Sequence, residues 1–153
     1  MKSLFWLLAA GSVLAGGTAR AYDVAEKSIG ELRVDLDAGR VTSAELVQLY
    51  EARIATLNPQ LHAVIAVNPQ ALDQARAADA ARKTHNPRNA QKAGGALAGV
   101  PILIKDNIES ADPIPTTAGS LALAGNVTGR DAPLVARLRT AGAIILGDRK
   151  SVV

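Results

Sequence analysis

The feature that most constrains this chain is a short apolar run closed by a lysine. Val100-Pro101-Ile102-Leu103-Ile104 is followed at once by Lys105. Val100, Ile102 and Ile104 are β-branched and the run does not alternate with polar residues. That pattern predicts a strand buried on both faces, and so a central strand of a parallel or mixed sheet. Pro101 has no N–H for a ladder and should open the strand. Gly94, Gly95 and Gly99 allow a tight approach to it. Lys105-Asp106-Asn107 then falls at the carboxyl end, where open α/β sheets form their ligand crevices. An amine desolvated there has a lowered pKa and supplies a neutral base. A Schiff-base lysine and a plain solvated turn lysine are the alternatives left open by the spacing alone.

The flanking segments predict helices first and strands afterwards. Ala25 to Ala38 carries Ile29, Leu32 and Leu36 on one stripe, with Gly39 as the residue after the helix. Thr42-Ser43-Ala44-Glu45 matches a capping box, in which hydroxyl and carboxylate satisfy orphan N–H groups reciprocally. Val47, Tyr50, Ile54 and Leu57 give that second helix a buried face, and Asn58-Pro59 should stop it. Tyr50 and Arg53 read as packing and surface residues. Leu61 to Val67 predicts a strand containing His62. Asn68-Pro69 starts an alanine-rich helix to about Ala81. Thr84 to Gly95 reads as a polar surface loop, with Arg82, Lys83, Arg88 and Lys92 on a solvated face. Ile108 to Thr117 holds Pro113 and Pro115 without a period and reads as an irregular connection. Thr116, Thr117 and Ser120 either cap turns or orient Lys105 and face substrate. Asp131 should cap the next helix, with Pro133 just inside it. Leu134, Val135 and Leu138 are its apolar face, Gly142 its end, and Ala143 to Leu146 the next buried strand. Strand, helix and strand of this length predict a right-handed parallel crossover.

Three of these segments carry a resemblance. Gly99-Val100-Pro101-Ile102-Leu103-Ile104-Lys105-Asp106-Asn107, Thr116-Thr117-Ala118-Gly119-Ser120, and Arg130-Asp131-Ala132-Pro133-Leu134-Val135-Ala136-Arg137-Leu138-Arg139 follow one another in order. Together they resemble the amidase signature family, and the likeness runs from about Leu61 to Gly147. Thr42-Ser43 with Glu45-Leu46-Val47 is similar to the opening of many members. The resemblance implies an α/β fold: N-terminal helices leading into the first strands of a mixed, mainly parallel sheet flanked by helices. It implies a serine–serine–lysine triad in which Lys105 is the base. In such a triad the lysine takes a proton through a bridging serine on a cis peptide bond, while a second serine attacks an amide carbonyl. It implies that Asp106 helps to orient that network. It implies no metal and no organic cofactor. The two serines belong to a Gly/Ser-rich segment downstream, before which this chain is expected to stop.

Composition narrows the remaining classes. Among 153 residues there is no cysteine, which excludes disulfides, a thiolate nucleophile and Cys-ligated metal. His62 and His85 are the two histidines, and both read as surface or packing residues. Met1 to Ala21 reads as a signal peptide: Lys2, an apolar stretch from Leu4 to Ala15, and Ala19-Arg20-Ala21 before a cleavage site. The stretch is too short for a comfortable membrane span, so no stable membrane anchor is expected. A periplasmic or secreted location follows. Losing Lys2 and Arg20 with the leader leaves 15 basic against 14 acidic residues. A nearly neutral chain without a basic stripe does not support nucleic-acid binding.

The expected organisation is therefore a leader at 1–21, the N-terminal part of an amidase signature domain at 22–147, and a tail at 148–153. Asp148-Arg149-Lys150-Ser151-Val152-Val153 departs from the family pattern and matches one reading frame of a common sequencing adaptor, so it is expected to be non-native. The expected activity of the parent is hydrolysis of a small-molecule carboxamide, with the chain as given inactive. A secreted, non-catalytic amidase-like binding module is the alternative. A homologue of the amide-hydrolysing component of a tRNA-dependent amidotransferase is a further one, opposed by the leader and the near-neutral charge.

Overall fold

The computed structural model describes residues 22–84 and 95–150. The expected leader, most of the polar loop with His85, Arg88 and Lys92, and residues 151–153 lie outside the described residues.

Two capping boxes start the fold. Helix α1 (Ile29–Asp37) begins at Ser28, whose hydroxyl accepts from Glu31 N while the Ser28 N–H donates to Glu31 Oε2 at 2.9 Å. The expected start at Ala25 was too early. Residues 25–26 form a turn, with Glu26 at φ 55°, and the cap lies beyond it. Helix α2 (Ser43–Leu61) begins at Thr42, paired with Glu45 as its box predicts. It does not stop at Asn58-Pro59. Pro59 sits inside the last turn at the loss of one backbone N–H, and the helix runs on to Leu61. His62 ends it in the left-handed region at φ 48°, its N–H donating to Asn58 O at 2.7 Å. His62 is therefore a helix-terminal surface residue and not part of a strand. The Asn58 side chain fixes this reversal: Oδ1 accepts from Ala63 N and Val64 N, and Nδ2 donates to Val64 O.

Strand β1 (Val64–Val67) follows, then helix α3 (Ala71–Thr84), strand β2 (Pro101–Lys105), a 3₁₀ turn (Leu121–Leu123), helix α4 (Pro133–Thr140) and strand β3 (Ile144–Arg149). The strand order is β1-β3-β2, with β1 antiparallel and β2 parallel to β3. The sheet is mixed, and helices cover both faces. Pro101 opens its strand as expected. Among the described residues, however, the central strand is β3, and β2 lies at an edge. The difference shows in burial: five successive residues of β3 are buried, whereas only Ile104 is buried in β2.

The period of two along β3 assembles the layers. Ile144 and Leu146 pack against Val47 of α2 and Ala71 and Ala75 of α3. Ile145 points the other way, onto Val135 of α4 and Ile104 of β2. A third cluster joins Leu32 and Leu36 of α1 to Val41, Leu46 and Val100. In α4, Val135 is fully buried and Leu138 packs beside it, but Leu134, expected on the same face, is 46% exposed. The cap of α4 also differs. Ala132 is its N-cap without a side-chain bond, while Asp131 accepts from Ala111 N at 2.8 Å and from Arg139. Pro133 is already φ-locked at the first helical position, so the turn forms without a side-chain cap.

The approach to β2 is fixed by a cluster that charge patterning alone reads as a solvated face. Asp79 accepts from Ser43 N and Ala44 N at the start of α2. Arg82 bonds Asp79, Ser43 Oγ and, at 2.9 Å, Ala98 O. Gly99 passes this cluster at φ +76°, where a Cβ would stand 2.1 Å from Ser43 Oγ. Only glycine fits that place.

Candidate active site

Lys105 is the last residue of β2, paired in register with Arg149 of β3. It stands at the carboxyl end of the parallel pair, the position the sequence pattern predicts. A cleft of about 380 Å³ opens there, lined by Ile65, Lys105, Asp106, Asn107, Ala118, Gly119 and Lys150. Among the described residues the Lys105 amine makes no hydrogen bond and no ion pair. Asn107 is exposed at the same rim.

The other wall is a turn tied to residue 106. Asp106 is only 4% exposed. Its carboxylate accepts from Thr117 N at 2.7 Å, from Gly119 N at 3.1 Å and from the Thr117 hydroxyl. Its carbonyl accepts from Ala118 N at 2.9 Å. Every N–H of the segment 117–119 thus ends on one residue, the immediate neighbour of Lys105. The pull bends the chain through two left-handed positions, Ala118 at φ 49° and Gly119 at φ 80°. Of the three candidate hydroxyls, Thr117 therefore holds the turn. Thr116 exchanges backbone and amide bonds with Asn126. Ser120 is exposed and gives its N–H to Thr117 O. None of the three bonds the Lys105 amine.

Behind the cleft, a polar network locks the irregular connection after β2. Asp112, 2% exposed, accepts from Arg139 Nη2 at 2.5 Å, from Gln74 Nε2 at 2.8 Å and from the Ser110 hydroxyl. Arg139 also bonds Asp131 at 2.8 Å. Burial pushes the Asp131 carboxyl up, but the bonds from Arg139 and Ala111 N outweigh it and hold the group below its ordinary range. Spacing alone hides this network, because its partners sit on α3, the connection and α4. Ser110-Ala111-Asp112 is its one local trace.

Tyr50 and Arg53 lie elsewhere. They line an apolar groove of about 210 Å³ under α2, with Leu57, Leu103 and Leu146. Burial raises the Tyr50 pKa. Among the described residues no cluster of histidine, aspartate and glutamate could hold a metal ion, and no helix is long and apolar enough to cross a membrane.

Fold and site together define a class: an α/β protein whose strand ends open onto a cleft lined by the lysines at 105 and 150, walled by a turn clamped to the residue after Lys105. The chain belongs to the amidase family, whose model matches residues 45–150. An amidase-named protein of Arabidopsis thaliana is 44% identical over 141 residues, 92% of this chain and 27% of that protein. A glutamyl-tRNA(Gln) amidotransferase component of Azoarcus sp. (strain BH72) is 43% identical over 121 residues, 78% of this chain and 23% of its own. The solved peptide amidase from Stenotrophomonas maltophilia superposes with a TM-score of 0.73 at 44% identity, over 82% of this chain and 25% of that one. The chain thus spans about a quarter of the length of the relatives it matches.

Proposed function

We propose that the parent protein is an amidase that cleaves a carboxamide C–N bond through an acyl-enzyme, with Lys105 as the base of a Ser–cis-Ser–Lys triad. The observation that carries this reading is the placement of Lys105: at a strand's carboxyl end, facing a cleft, its amine free of partners among the described residues. In the proposed reaction the uncharged amine takes the proton of a bridging serine. That serine takes the proton of the nucleophile as it attacks the carbonyl carbon. The proton returns to the departing amine, and water then hydrolyses the ester. Both serines would come from a segment downstream of residue 153, so the chain as given is proposed to be inactive. The substrate is a small-molecule amide, and the location, following leader cleavage after Ala21, is periplasmic or secreted.

The similarity to amidotransferase components supports a second reading, in which the amide supplies ammonia to a charged tRNA. The two separate on one assay. The gene's full-length product is incubated with small amides alone, and ammonia or amine release is followed. Hydrolysis without tRNA or further protein components supports the amidase. Lys105→Ala should lower kcat/KM by roughly a thousandfold or more. Turnover unchanged in that variant would sink the base assignment.

A further inference from the structure

The geometry assigns Asp106 a role distinct from holding the lysine: we infer that it is a positioning residue that acts through the Thr117–Gly119 turn. This rests on the reading of Lys105 as the base. A carboxylate beside a base is ordinarily credited with orienting that base. Here its oxygens are committed elsewhere. They take the Thr117 N–H, the Thr117 hydroxyl and the Gly119 N–H, and no cation among the described residues pairs with them. A buried carboxylate is tolerable on hydrogen bonds alone only when several donors converge on it. The turn supplies those donors, and the turn is a wall of the cleft.

The turn also needs the carboxylate. Ala118 stands at φ 49°, a conformation that costs a residue with a Cβ about 1–2 kcal/mol when nothing compensates. Gly119 follows at φ 80°, yet a Cβ built on it would meet nothing within 4 Å. Glycine is required there by backbone conformation, not by lack of space. Two successive left-handed residues do not hold themselves. What holds them is residue 106, with its carbonyl on Ala118 N and its carboxylate on both neighbours. Residue 106 is covalently joined to Lys105, so the backbone that carries the amine and the wall are tied together at one point. The consequence is that substrate approaches the base against a surface whose position Asp106 sets, its carboxylate bonding the turn and not the amine.

The test uses the full-length enzyme and variants Asp106→Asn, Thr117→Val and Thr117→Ser. Turnover is expressed per active site titrated with a fluorophosphonate on the nucleophilic serine, so unfolded molecules drop out of the count. Misplacing a wall by about an ångström costs up to roughly a hundredfold. Asp106→Asn should therefore lower kcat per site by about ten- to a hundredfold. Thr117→Val, which removes one of the three donors, should lower it about fivefold. Thr117→Ser, which keeps the hydroxyl, should restore the wild-type value. Hydrogen exchange at Thr117 and Gly119 should quicken in Asp106→Asn and not in Thr117→Ser. Wild-type kcat per site in both Asp106→Asn and Thr117→Val, or equal damage from Thr117→Ser and Thr117→Val, overturns the assignment. A wild-type enzyme that hydrolyses no amide, or a fully active Lys105→Ala, defeats the underlying reading instead.

Discussion

Arg139→Met should destabilise the fold more than removal of the charge it serves. Asp112 is 2% exposed and receives three side-chain donors, of which only Arg139 carries charge. Removing a partner from a buried ion pair costs about 3–5 kcal/mol, because the remaining charge stays desolvated. Gln74 and Ser110 still donate to Asp112 after the change, and the Arg139 side chain is itself 27% exposed. The lower end, about 3 kcal/mol, is therefore expected. Asp112→Asn leaves no orphan charge, since Arg139 keeps Asp131 at 2.8 Å. It should cost about 1–2 kcal/mol. Combining the two removes both charges together, so the double variant should cost about 1–2 kcal/mol less than the sum. Equilibrium urea denaturation followed by far-UV circular dichroism measures all three. A cost below about 1 kcal/mol for Arg139→Met, or additivity within about 0.5 kcal/mol, refutes the claim that Asp112 depends on this cation.

Two further predictions concern other parts of the fold. Asp35 is held below the ordinary carboxylate range, first by the Tyr22 hydroxyl and then by Arg40 and Lys27, while Tyr22 is raised above its ordinary value by burial and by that same bond. Depressed Asp35 contributes stability that is present above the unfolded value near ~3.9 and lost as pH falls below it; raised Tyr22 contributes stability that is present below ~10 and lost as pH rises through its folded pKa. The melting temperature should accordingly hold level with respect to this pair between about pH 5 and 9, and Tyr22→Phe should remove its part of the alkaline decline; an unchanged alkaline limb counts against the bond. Gly99→Ala should cost at least about 2 kcal/mol, from the left-handed backbone and the 2.1 Å approach to Ser43 Oγ, whereas Gly125→Ala, with open space and no positive φ, should be neutral or gain about 0.5 kcal/mol. Equal melting temperatures for the two glycine variants would show that the strain is relieved elsewhere.

What the sequence discloses here is decided by range. The capping box at Thr42, the strand opening at Pro101 and the lysine at its end are written in residues a few positions apart, and each stands where local rules put it. Asn58-Pro59 misleads because the rule that prolines end helices ignores what happens in a last turn. The stop is made three residues on, by a histidine whose conformation the Asn58 side chain supports. The choice of β3 over β2 as central strand cannot be read from either run, since both are short and apolar. It depends on which strand has β1 on its far side, a pairing about eighty residues distant in the chain.

Range also makes the buried acids the least legible part of the site. Asp106 and Thr117 are eleven residues apart, and Arg139 lies twenty-seven residues from Asp112. In both cases a buried carboxylate is satisfied by donors that only the fold delivers. A carboxylate in a wet turn and one buried beneath a turn look identical in sequence. The physical distinction is the number of donors within reach, and that number follows from topology: β2 ends beside β3, α4 packs on their common face, and the connection between them must pass over the strand ends. A chain crossing the mouth of a cleft with proline at 113 and 115 has few backbone bonds of its own to make. The carboxylates of Asp106 and Asp131 take backbone N–H groups of that connection, and Asp112 ties it to α3 and α4 through Gln74 and Arg139.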